Sequence, residues 1–172
     1  MTPLGHRRLI LTRHAKSAWD DPRLDDHDRP LNDRGRRSAR ELGDFMASRG
    51  YEPEEVLCST SRRTRETWEV IAAAPLEVRP LVRYEPGLYH ASAEKMLTIL
   101  RSASQPTVMM VGHNPGIAEF AAMLPARLPT HAEFRRYPTC ATLVVDFQIE
   151  NWGDVAPGLG SVMDFVRFDG RG

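Results

Sequence analysis

The chain has 172 residues, 41% hydrophobic and 27% charged, the make-up of an ordinary globular protein. Its 23 basic and 23 acidic residues cancel to zero formal charge, which argues against wholesale binding to nucleic acid or to a membrane surface. That length fits one domain, residues 1–172, with a core large enough to need neither disulfides nor metals. The number of associating copies stays open. Lys16 and Lys95 are the only lysines; arginine suits bidentate phosphate recognition, but codon bias produces the same excess. Cys58 and Cys140 stand in no metal-spaced cluster and read as small buried hydrophobes in strand-like runs. Neither a metal nor a cofactor is expected. The N-terminus shows no apolar stretch behind a basic start, and no segment reaches a membrane-spanning length, so a reducing cytoplasm is the expected compartment.

In chain order, Leu9–Thr12 is a short apolar run, the first predicted strand. A polar, Asp-rich loop follows from Ser17 to Pro30. Asn32 or Asp33 then caps a helix that carries Ala39, Leu42, Phe45 and Met46 at helical spacing and stops at Gly50. Val56–Cys58 is a second strand, Thr64–Ala74 a second helix and Leu76–Arg79 a weak third strand. Ser92 caps a helix running through Leu100. Val108–Val111, between Pro106 and Gly112, reads as a central strand buried on both faces. A helix from Pro115 to Met123 follows. Ala141–Phe147 and Ser161–Phe168 are two late strands, expected at a sheet edge. Strands alternating with helices imply an α/β sandwich with a largely parallel sheet, whose ligands bind beyond the carboxyl ends of the strands.

Three predicted strands run directly into polar groups there. The first ends in Arg13-His14, the second in Ser59 followed by Arg62 and Arg63, and the fourth in Gly112-His113-Asn114. A parallel sheet brings these to one edge, where two imidazoles and several arginines would share a cleft. Arginine forks and helix N-termini suit phosphate oxygens, and neutral imidazole is a competent nucleophile toward phosphorus. Taken singly, each motif has a plainer reading: an Arg-His pair on the surface, a structural histidine, a solvated helix start. Their joint order after successive strands favours the site.

Here the sequence resembles the histidine phosphatase superfamily, which has the phosphoglycerate mutase-like fold. Its Arg-His-Gly triplet appears as Arg13-His14-Ala15, and its Ser-Pro-x-x-Arg-Ala-x-Gln-Thr stretch as Ser59-Thr60-Ser61-Arg62-Arg63-Thr64-Arg65-Glu66-Thr67. Its later histidine is matched by His113 in Val111-Gly112-His113-Asn114. The resemblance runs from Leu9 to about Phe168, and the Arg-His-Ala-Lys-Ser opening is similar to that of SixA-type phosphohistidine phosphatases. It implies a three-layer α/β/α sandwich with a mostly parallel central sheet, and a metal-independent phosphatase that forms a phosphohistidine intermediate. His14 would attack phosphorus, while Arg13, Arg63 and a protonated His113 hold the oxygens. Departures are Ala15 for glycine, Thr60 for proline and Thr64-Arg65-Glu66 for Ala-x-Gln. No catalytic charge is lost.

Glu85, after the third strand, is the first candidate for general acid, against an exposed loop glutamate as the equal alternative; His90 is a second candidate. Lys16, Ser17, Arg62 and Asn114 are candidate substrate contacts. Trp19 reads as a flap residue or, slightly favoured, as packing, the aspartates of the loop as solvated charges, His27 and His131 as exposed, and Arg135 and Arg136 as surface residues that could rim the cleft. The expected substrate is a phosphorylated protein or a small phosphate ester. With so little chain available for a lid, an open site suits a bulky partner. Two competitors stand: a non-catalytic phosphate- or phosphoprotein-binding module, and a phosphoglycerate-type mutase.

Overall fold

The computed structural model describes residues 5–171. Six strands form one sheet in the order β3-β2-β4-β1-β5-β6: β1 Arg7–Arg13, β2 Glu55–Ser59, β3 Leu81–Glu85, β4 Thr107–Gly112, β5 Thr142–Phe147 and β6 Ser161–Val166. The first four run parallel, while β5 is antiparallel to β1 and β6 to β5. The helices are α1 Asp33–Arg49, α2 Arg62–Ala72, α3 Ala93–Arg101 and α4 Gly116–Met123.

Alternation along the strands builds the layers. Leu9, Leu11, Leu57, Val108 and Met110 face one side and pack with Met96, Leu100, Ile117 and Phe120 of α3 and α4. Ile10, Val56, Cys58, Met109 and Val111 face the other and pack with Leu42, Met46, Trp68 and Ile71 of α1 and α2. The sheet is thus sandwiched between two helical layers.

Local signals set the helix boundaries. Asn32 accepts a side-chain bond from the Gly35 N–H, and Gly50 closes α1 in the left-handed region at φ 70°. Ser61 caps α2 and Ser92 caps α3 in the same way. The third strand lies at Leu81–Glu85 rather than Leu76–Arg79. It pairs with β2 alone, so a one-sided hydrogen-bond ladder defines it rather than a buried hydrophobic pattern. Only β6 of the late pair forms an edge; β5 is interior and its side chains are mostly buried. Cys58 lies in β2 as expected, whereas Cys140 precedes β5 in a turn with φ 66°. Both thiols are buried and free, and burial pushes each up to about 12. Among the described residues no helix is long and apolar enough to cross a membrane.

Candidate active site

Parallel pairing in register carries the ends of β1 and β4 to one edge, with Arg13 opposite Gly112. Beyond that edge lies a cavity of about 220 Å³ lined by Arg13, His14, Lys16, Ser17, Trp19, Asp26, Arg63, His90, His113, Asn114 and Thr139. His14, Arg63 and His113 form its buried floor, each 6–7% exposed. The imidazoles of His14 and His113 lie 5.4 Å apart, centroid to centroid.

The backbone of His14 is held from both sides. Its N–H donates to the Gly112 carbonyl at 3.1 Å, and its carbonyl accepts from the Cys140 N–H at 3.0 Å. The uncommon left-handed backbone at Cys140 belongs to the turn that supplies this donor. The next amide, Ala15 N–H, donates to the Thr67 hydroxyl at 2.9 Å, tying the nucleophile loop to α2. His14 Nδ1 lies 2.7 Å from the Ala15 carbonyl. A carbonyl only accepts, so Nδ1 carries the hydrogen and the lone pair sits on Nε2. Burial lowers the pKa of His14 well below the usual 6.5, with the Arg13 and Arg63 charges adding to it and the Ala15 hydrogen bond opposing.

Ser61 caps α2 and thereby sets Arg63 in the first turn, at the positive end of the helix. Its guanidinium donates to the Asp26 carbonyl at 2.7 Å, to Asp26 Oδ2 at 3.0 Å and to His113 Nδ1 at 3.4 Å. His113 Nδ1 is therefore an acceptor, and Nε2 donates to the Ser59 hydroxyl at 2.8 Å. In this arrangement His113 is neutral; the expected imidazolium is one that holds phosphoryl oxygens. Burial first, then the Arg63 charge, brings its pKa down to about 3. Arg13 donates to the Tyr137 carbonyl at 3.3 Å, while its buried Nε has no hydrogen-bond partner among the described residues.

Of the remaining sequence candidates, Lys16, Ser17 and Asn114 line the cavity. Asn114 is steadied by bonds to the Arg136 and Tyr137 carbonyls at 2.9 and 3.1 Å. Arg62 and Glu85 do not line it. Arg62 points to solvent and pairs with Glu66 at 3.0 Å, one turn on. Glu85 ends β3 and faces Arg83 at 3.5 Å. Arg135 and Arg136 are exposed outside the cavity lining. His131 is exposed as expected, but His27 is half-buried, bonded to the Thr60 hydroxyl at 2.9 Å and edge-on to Tyr89. Trp19 is not packing: it is 71% exposed, with the Arg29 guanidinium stacked 3.3 Å from its ring centre.

Asp26 is a site residue that sequence reasoning grouped with solvated loop charges. Its carboxylate accepts from Tyr89 at 2.5 Å as well as from Arg63. No local spacing marks it, since its partners come from α2 and the segment after β3. Among the described residues no group of three or more His, Cys, Asp or Glu is placed to hold a metal ion.

An uncharacterised protein of Mycobacterium tuberculosis is 31% identical over 160 residues, covering 89% of this chain and 97% of that one. An uncharacterised chloroplastic protein of Arabidopsis thaliana is 39% identical over 130 residues, 69% of this chain; that stretch spans 59% of the plant protein. Among solved structures, a SixA protein of Nakamurella multipartitia, assigned as a phosphohistidine phosphatase, superposes with TM-score 0.80 and 28% identity over 96% of this chain and 98% of that one. The family model for histidine phosphatase superfamily (branch 1) matches residues 9–88, a span that contains Arg13, His14 and Arg63. With the phosphoglycerate mutase-like sandwich in place, the chain belongs to the histidine phosphatase superfamily.

Proposed function

We propose that the protein is a phosphatase that transfers a phosphoryl group to His14 Nε2 and then to water, and that its substrate is phosphohistidine in a protein. The observation that carries the reading is the orientation of His14. Its Nδ1 is committed to the Ala15 carbonyl, which leaves the Nε2 lone pair on the cavity floor beside two arginines. Burial keeps that imidazole neutral, so the lone pair is available at ordinary pH.

In the first step Nε2 forms a bond to phosphorus, and the bond to the leaving atom breaks with its electron pair. Arg13 and Arg63 bind the phosphoryl oxygens and offset charge gathered in the transition state. His113 supports the same oxygens once the phosphoryl charge raises its affinity for a proton. In the second step water attacks phosphorus, the N–P pair returns to Nε2, and inorganic phosphate leaves. The positive charge comes from the arginines, and no metal is required. The likeness to a SixA protein supports a phosphoprotein substrate.

Hydrolysis of p-nitrophenyl phosphate in EDTA, beside His14→Asn, tests the reading. We expect turnover by the wild-type protein and loss of at least about a thousandfold in the variant, the scale seen when a catalytic nucleophile is removed. Phosphate binding without turnover in the wild-type protein would leave a binding module instead.

A further inference from the structure

We propose that Asp26 selects the leaving group: its carboxylate receives the N–H of a protonated phosphoimidazole ring, which makes the site specific for nitrogen-bound phosphoryl groups. This rests on the phosphatase reading above and assigns the residue that selects its substrate class.

In-line displacement sets the leaving atom opposite the attacking one. His14 lies on the floor, so the leaving group must point to the mouth of the cavity. The mouth carries Asp26, with a side chain 41% exposed, together with Trp19, Lys16 and His90. Asp26 Oδ2 is occupied by Arg63 and Tyr89. Oδ1 has no hydrogen bond among the described residues; its nearest cation is Arg29 Nε at 3.8 Å. The carboxylate is pinned in place and still has an oxygen to offer. Burial opposes its ionised form, but hydrogen bonds from Tyr89 and Arg63, then the charges of Arg63 and Arg29, outweigh it and lower its pKa. An ionised carboxylate is a poor general acid for an alkoxide leaving group, and it repels an anionic one. It suits a leaving group that arrives with a positive charge and an N–H.

A phosphoimidazole protonated on its second nitrogen is such a group. Nε2 of His14 bonds to phosphorus, the P–N bond breaks, and its electron pair goes to the leaving ring nitrogen. The ring departs as neutral imidazole, with its proton still on the other nitrogen beside Asp26. No outside proton donor is needed, which agrees with Glu85 standing outside the cavity.

The test is the ratio of kcat/KM for a phosphohistidine peptide to that for p-nitrophenyl phosphate, whose leaving group is an anion. Using the ratio cancels any loss common to both substrates from a displaced Arg63. Asp26→Asn is expected to lower this ratio about ten- to hundredfold, the worth of one charge-assisted hydrogen bond. In the wild-type protein the ratio, corrected for spontaneous hydrolysis, should fall as rising pH removes the ring proton. That second measurement stands even if the variant fails to fold. A ratio unchanged by either the substitution or pH overturns the role of Asp26 while the phosphatase reading survives. A wild-type protein that hydrolyses neither substrate overturns both.

Discussion

His14 Nδ1 stands 2.7 Å from the carbonyl oxygen of Ala15, the residue that follows it. This contact selects the ring tautomer that leaves Nε2 unprotonated. Burial reinforces it by lowering the His14 pKa well below 6.5. We therefore expect kcat/KM for p-nitrophenyl phosphate to show no loss attributable to nucleophile protonation near pH 6.5. The acid limb should lie lower, once substrate ionisation is allowed for. An inflection near 6.5 that disappears only in His14 variants would contradict this.

His113 links the site to stability. In the unfolded chain it gains a proton near 6.5, whereas in the folded protein burial and Arg63 hold it neutral down to about 3. Between those values the unfolded state binds the extra proton, so the folded state loses stability as pH falls, by about 1.4 kcal/mol per pH unit for one such group. His113→Gln should flatten the acid side of the stability curve in urea titrations between pH 6 and about 4. An identical slope in wild type and variant would show that His113 does not titrate this way.

The Thr67 hydroxyl accepts from Ala15 N–H and donates to the Arg63 carbonyl at 2.7 Å, joining the two halves of the site. Thr67→Val keeps the shape but leaves the Ala15 N–H without its partner. A loss of about 1–3 kcal/mol is expected in denaturant unfolding, with a fall in kcat as the loop shifts. Unchanged stability and kcat would remove Thr67 from the account.

Gly35 lies in the first turn of α1 against the chain that follows the nucleophile. A Cβ there would stand 2.1 Å from the Lys16 carbonyl oxygen, so backbone would have to move. Gly35→Ala should cost at least about 1–3 kcal/mol and lower activity by displacing Lys16 and Ser17. A thermal melt and a rate assay, both matching the wild type, would refute this.

Glu85→Gln should behave as an ordinary surface change, within about twofold of wild-type kcat/KM, because the side chain pairs with Arg83 outside the cavity. A loss of two orders of magnitude on phosphoesters would restore it as a proton donor.

The sequence carried the site's floor because each of its residues directly follows a strand or opens a helix. Hydrophobic runs at Leu9, Val56 and Val108, and the caps at Asn32 and Ser92, are local signals that survive without tertiary knowledge; the Ser61 cap starts α2 at Arg62 rather than at the expected Thr64. The rim is different. Asp26 and His27 sit in a loop without periodicity, and their partners Arg63, Tyr89 and Thr60 lie 33 to 63 residues away. Nothing in the spacing of loop aspartates separates the one that reaches Arg63 from those facing water. Trp19, for which packing is slightly favoured over a flap, stacks on Arg29 at the surface, an arrangement only the folded loop defines. The sequence pattern places the third strand at Leu76–Arg79, which is as apolar as Leu81–Glu85. Pairing with β2 decides between them.

The covalent step can be observed by mixing the protein with a 32P-labelled phosphohistidine protein, quenching in alkali and mapping the label by mass spectrometry. An acid-labile, alkali-stable phosphate is expected on His14, formed and lost at rates compatible with turnover and absent in His14→Asn. Full turnover with no label on His14, or label on another residue with His14→Asn still active, would contradict it.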